Sequence, residues 1–336
     1  MKIKWLVSTF VAAFASVASA APYTLTNAPG DGSVTVGVDG YGAFGSSVGS
    51  DSANAVYDPV GSGAPAGTTF QSGVAIRFGT SGGRSFLTSG DIGGTGGLAN
   101  PTVTGTTTLG ASSFTFGGLS FALTQTLTPL LSGTTQTGSV LTQAYTITNP
   151  GLASSSFELI RYLDGDLLFD GSLVDGGGRL FLGGTEVLFE TDSATGTATS
   201  TTFVGITGEG GTTPVADRFE IDSYSGLRSR IVAGTALDDI VTGDGADADQ
   251  FIDAGNGYDV TLALRNLFTL VPGASDVYST RTIFGSGSPE TVVVTPVPEP
   301  GSLALLALGL LGLAALRSRR ASRPAGVVAL GLKPAA

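Results

Sequence analysis

The sequence predicts an all-β fold, a large antiparallel β-sandwich. Three observations carry this. Apolar and polar residues alternate with period two over runs of four to nine residues, as they do on a strand whose faces look in opposite directions. Gly, Asn, Asp and Pro punctuate the runs, and 52 of the 336 residues are Gly. Between residues 21 and 296 no apolar stripe recurs every 3.6 residues for long enough to make a substantial helix.

The first element is an export signal. In MKIKWLVSTFVAAFASVASA, Lys2 and Lys4 precede an apolar run that ends in Ala18-Ser19-Ala20, a small-x-small site for signal peptidase. Residues 1–20 are therefore expected to be removed, with Ala21 the new N-terminus. Residues 21–112 form a Gly- and Ser-rich β region, and 113–296 the better-patterned sandwich body. Strands are expected at 33–38, 73–78, 119–127, 140–148, 157–163, 179–182, 186–190, 202–206 and 218–221. The run from Val140 to Thr148 shows the pattern best. Leu141, Gln143, Tyr145 and Ile147 share one face, and Asn149-Pro150-Gly151 ends the strand. Two further strands, 260–268 and 277–284, flank Pro272-Gly273 and are expected to pair as a hairpin.

The last element is apolar. Residues 301–316 carry no charge, and as a helix they would span about 24 Å, slightly short of a bilayer core of about 30 Å. Arg317, Arg319, Arg320 and Arg323 follow, and the positive-inside rule leaves them in the cytoplasm with the tail 324–336. A single transmembrane helix, with the body exported, is the expectation. A buried core helix would need a polar face, and this one has none.

Just upstream, Pro298-Glu299-Pro300 holds the chain extended. Val-Pro-Glu-Pro-Gly-Ser, a Leu/Ala/Gly helix and an Arg cluster, over about 297–320, resemble the PEP-CTERM sorting signal of Gram-negative bacteria. That resemblance implies recognition at Pro298, Glu299 and Pro300 by an exosortase-type membrane enzyme and a transient inner-membrane anchor. It also implies removal of the helix and delivery to the cell surface or exopolysaccharide matrix. The family usually stops soon after the Arg cluster, whereas this chain continues ASRPAGVVALGLKPAA. The span QAYTITNPG…FELIRYLDGDLLFDG is similar to the central part of other large β-sandwich PEP-CTERM proteins, which supports the fold and implies no chemistry.

Residue types exclude much. Residues 21–298 contain no Lys, His, Cys, Trp or Met, and 9 Arg stand against 20 Asp and 6 Glu, a net charge of −17. Nucleic acid is not an expected partner, because phosphate binding draws on clustered Lys and Arg. No disulfide can staple the exported chain. Ser-His, Cys-His and Ser-Lys nucleophile arrangements and Schiff bases are unavailable, which leaves only carboxylate pairs such as glycoside hydrolases use.

The densest acidic stretch runs from Asp238 to Asp259. Asp247, Asp249, Asp253 and Asp259 are calcium candidates there, because hard cations take carboxylate and carbonyl oxygens; the alternative is a solvated acidic loop. AGNGYDVTL (254–262) matches the repeat-in-toxin nonapeptide only partly, with Ala254 in place of Gly and Thr261 in place of a large apolar residue. Asp164, Asp166 and Asp170 alternate with Leu163, Leu167 and Phe169, which predicts acids on the solvent face. Tyr41, Tyr57 and Tyr145 are the aromatic candidates for stacking on sugars.

Three function classes follow. The leading one is a non-enzymatic, cofactor-free exported protein of the cell surface or extracellular matrix, associated with exopolysaccharide or biofilm. The others are a calcium-dependent adhesion or matrix-binding module and a carboxylate-only glycoside hydrolase.

Overall fold

A computed structural model describes residues 22–27, 29–48, 54–61, 63–197, 201–287 and 289. The strands in chain order are β1 (Tyr23–Thr26), β2 (Val34–Val38), β3 (Ala55–Tyr57), β4 (Ala66–Gly67), β5 (Thr69–Phe78), β6 (Ser85–Leu87) and β7 (Thr104–Thr106). Then come β8 (Leu109–Phe116), β9 (Leu119–Ser132), β10 (Thr135–Thr148), β11 (Ser155–Gly165), β12 (Gly176–Leu182), β13 (Thr185–Thr191) and β14 (Thr202–Glu209). β15 (Arg218–Ser223), helix α1 (Tyr224–Ala233), β16 (Val260–Leu270) and β17 (Ser275–Ser286) complete the body.

The strands form three antiparallel sheets. The largest has the order β12-β13-β14-β17-β10-β9-β8-β7, the second β15-β16-β11-β5-β6, and the smallest β1-β2-β3-β4. Two of the tight connections, Gly117-Gly118 and Gly183-Gly184, have positive φ at both residues. Only Gly adopts such a two-residue hairpin turn without strain, and its twist matches the flanking strands. The two larger sheets pack face to face over Leu141, Leu163, Leu188, Val204, Ile206, Leu262, Leu264 and Phe284, and the small sheet adds Leu25, Val34, Val36 and Tyr57 to the same core. This is the expected sandwich. Because β5 pairs with β11, residues on both sides of position 112 share one sheet.

The strand beside Pro272-Gly273 behaves differently from the expectation. β16 pairs with β11 and β15, whereas β17 pairs with β10 and β14, so the turn carries the chain from one sheet to the other and no hairpin forms. A Pro-Gly turn reverses direction, but which ladder each strand joins is decided by the core it buries.

Helix α1 was not visible in the periodicity. It buries only Leu227 and Ile231, one turn apart, against Ile160, Tyr162 and Ala263 on the outer face of the second sheet. Its end is fixed from outside. Gly234 takes the left-handed conformation at φ 79°, while Arg84 Nη1 donates to the carbonyls of Ile231 (3.1 Å) and Thr235 (2.7 Å) and Arg77 Nη1 to that of Gly234 (2.6 Å). The same two arginines converge through Nε on the buried Glu158 carboxylate, at 2.8 and 2.6 Å.

With a sheet on one side and α1 on the other, β11 is buried on both faces. Asp164 is consequently only 2% exposed, which corrects its expected place on the solvent face. Arg161, 0% exposed, has no carboxylate partner among the described residues. Nη1 donates to the carbonyls of Gly73 (3.1 Å) and Tyr162 (2.6 Å), and Nη2 to the hydroxyls of Ser72 (2.8 Å) and Thr282 (2.9 Å). Burial lowers its pKa to about 10, so it keeps its charge at neutral pH and links the two large sheets through neutral acceptors.

Candidate functional site

One end of the sandwich collects the acids. The pairings Asp164↔Thr261, Gly176↔Thr191 and Ser223↔Val260 put the end of β11, the start of β12, the end of β13 and the start of β16 together. Asp164, Asp166, Asp175, Glu190 and Asp259 thus meet from segments up to 95 positions apart. Cations are scarce there, because seven of the nine body arginines (Arg77, Arg84, Arg179, Arg218, Arg230, Arg265 and Arg281) are held in ion pairs. Arg161 is buried, and Arg228 is the remaining arginine, donating to Gln71 Oε1 at 3.2 Å.

A β-bulge opens a cleft at this end. Asp164 pairs with Gln71 and Gly165 with Thr69, which leaves Phe70 without a partner on β11 and turns it outward. Phe70, Asp164, Gly165, Asp166, Leu173, Tyr224 and Asp259 line a cavity of about 290 Å³. Asp164 accepts a hydrogen bond from the Tyr162 hydroxyl at 3.2 Å on Oδ2. Burial, reinforced by Asp259, pushes the Asp164 carboxyl up to about 7, and burial likewise raises Asp166 and Asp259. Phe70 and Tyr224 are 37% and 42% exposed. They are the aromatics of this surface, whereas Tyr41, Tyr57 and Tyr145 are core residues, and Tyr145 donates its hydroxyl to the Tyr41 carbonyl at 2.8 Å.

Behind the cleft lies a closed pair. Asp175 and Glu190 are each 1% exposed, and no surrounding protein group donates to Asp175 Oδ1 or Glu190 Oε2. Two buried carboxyl groups beside one another can bond only while one of them keeps its proton. Burial pushes Asp175 up to about 8; burial and then the charge of Asp175 push Glu190 well above the usual carboxylate range. Backbone bonds between Asp175 and Tyr258, 2.9 and 3.0 Å, hold the first group in place. Gly165 makes room for the second, since a Cβ there would overlap the Glu190 carboxylate.

The acidic loop gathers a trio that differs from the expected set of Asp247, Asp249, Asp253 and Asp259. Asp247 and Asp249 come together with Asp244, their ligand atoms within 4.8 Å of one another. Positive φ at Ala248 (54°) and Gln250 (73°) winds the loop tightly enough for this. Asp253 stays outside the trio, and Asp259 faces the bulge cleft instead. Asp244, the member missed by sequence, carries the signal of a Thr-Gly-Asp-Gly turn.

The expected processing sites, Ala18, Ala20 and Ala21 at one end and Pro298, Glu299, Pro300, Arg317, Arg319 and Arg320 at the other, lie outside the described residues, as does the expected transmembrane helix 301–316. No helix among the described residues is long and apolar enough to cross a membrane. Comparison with protein families matches residues 296–320 to the PEP-CTERM protein-sorting motif. The chain carries a PEP-CTERM sorting signal. A PEP-CTERM motif marks an exported, surface-directed protein handled by an exosortase, and the matched span contains Pro298, Glu299, Pro300 and the arginines up to Arg320. No curated protein matches the PEP-CTERM chain.

Proposed function

We propose that this protein is a non-enzymatic component of the cell surface or extracellular matrix, anchored transiently and then released to associate with exopolysaccharide. The sorting motif at 296–320 carries this reading. The residue inventory supports it, since a body without His, Cys or Lys has few routes to covalent or acid-base catalysis. Terminal-peptide mass spectrometry on protein from the surface and medium of the native host tests it. Chains beginning at Ala21 and ending near Pro298 or Glu299 are expected; persistence of peptides containing Leu303 to Leu316 would place the role at the membrane instead.

A calcium-dependent matrix module is the second reading, favoured by the convergence of Asp244, Asp247 and Asp249. Calorimetric titration with Ca²⁺ should then show uptake that Asp247→Asn abolishes, and the absence of both uptake and a melting shift would remove this reading.

A further inference from the structure

Several features of the bulge cleft point to a ligand that is both cationic and ring-shaped. Asp164 is almost wholly buried, yet the Tyr162 hydroxyl is its only hydrogen-bond donor among the described residues, so one carboxylate oxygen is left to the cavity it lines. Asp166 and Asp259 face the same space, and Arg228, the one arginine among the described residues that is neither buried nor ion-paired, is engaged with Gln71 and the Tyr224 ring. A bare metal ion fits poorly. Among the described residues only Asp244, Asp247 and Asp249 bring three acidic ligand atoms within 4.8 Å of one another, so the carboxylates of the cleft stand too far apart to share one ion. An ammonium group donates up to three hydrogen bonds and tolerates that wider spacing. The rest of the wall is aromatic and apolar: Phe70, turned outward by the bulge, with Tyr224 and Leu173. Such a mixture of a few convergent polar groups with apolar surface is what small organic ligands require. A sugar ring presents hydroxyls at its edge and C–H groups on its face, which suits carboxylates on one wall and exposed rings on the other, and aromatic faces also attract cations.

We propose that the bulge cleft binds an amino sugar, holding its ammonium among Asp164, Asp166 and Asp259 and its ring face against Phe70 and Tyr224. The inference rests on the matrix reading above and names the class of polysaccharide that reading would involve, one with free amines. The acidic, Lys-free body then meets a polymer of opposite charge, and the cleft supplies a specific contact within that attraction.

The test is calorimetric titration of the full-length protein in detergent with a glucosamine oligomer, its fully N-acetylated counterpart and a lysine-rich peptide. The free-amine oligomer should bind, and Asp259→Asn and Phe70→Ala should each weaken it at least tenfold, with melting temperatures confirming that both variants fold. Asp276→Asn, which removes one acid at the opposite end of β17, should leave binding unchanged. Absence of binding, equal binding of the acetylated oligomer, or equal weakening by Asp276→Asn would each overturn the inference, and tighter binding of the lysine peptide would assign the cleft to protein instead. Failure here is separable from failure of the matrix reading: a correctly released protein that ignores amino sugars refutes only the cleft.

Discussion

Replacing Asp175 by Asn removes one acid from the buried pair while keeping its shape, and the new amide donates to Glu190 at any pH. In the native protein the pair is intact only while the two groups share a proton. Unfolded, both carboxyls ionise near pH 4. Folded, Asp175 holds its proton up to about pH 8. Between those values the folded chain binds more protons than the unfolded one, so stability falls as pH rises through the window and the loss is complete above it. Each pH unit of separation corresponds to about 1.4 kcal/mol, which sets a ceiling of about 6 kcal/mol for Asp175 alone. Because Glu190 draws on the same proton, ~3 kcal/mol is the expected fall between pH 5 and 8.5. Asp175→Asn should match the native protein at pH 4 and exceed it by ~2 to 3 kcal/mol at pH 8.5. Urea unfolding at a series of pH values, with unchanged m, measures this directly. Parallel pH profiles for the two proteins, or a variant less stable at pH 8.5, would refute the shared-proton account.

Two other substitutions probe the packing between the sheets. Arg161→Lys should cost about 2 to 4 kcal/mol in thermal or urea unfolding, because a single ammonium cannot replace a fork that spans Gly73, Tyr162, Ser72 and Thr282; an unchanged midpoint would mean the fork is dispensable. Gly165→Ala should destabilise by ~2 to 3 kcal/mol through overlap with Glu190, and combining it with Glu190→Ala should cost less than the two single changes added together. Simple additivity of the two costs would show that the overlap is relieved elsewhere.

The strands were legible because alternation is a local signal: β2, β10 and β13 all lie where period two placed them. Partnering was not. Pro272-Gly273 announces a turn equally well whether β17 returns beside β16 or crosses to β10 and β14. Alternation also misplaced Asp164, since the rule of apolar inside and polar outside presumes one wet face, and β11 has none. The bulge cleft was beyond local reading altogether. Asp164 and Asp259 are 95 positions apart, Phe70 turns outward only because its neighbour pairs out of step, and Tyr224 belongs to a helix with two buried residues. Residue types were the more durable guide: the absence of Lys, His and Cys from residues 21–298 and the sorting motif are written in single positions and survive any error in topology.

The place of β17 bears on how this protein carries force. It is the last strand among the described residues, and it lies between β14 and β10, with eight residue pairs on one side and eleven on the other. A pull on the C-terminal end therefore acts along a strand laced on both edges, loading those ladders in shear, where many bonds must give way together. An edge strand would peel open one bond at a time. Under the proposed transient anchorage, drag on the body from a moving medium or a clinging polymer would enter the fold through this doubly laced strand rather than through an edge.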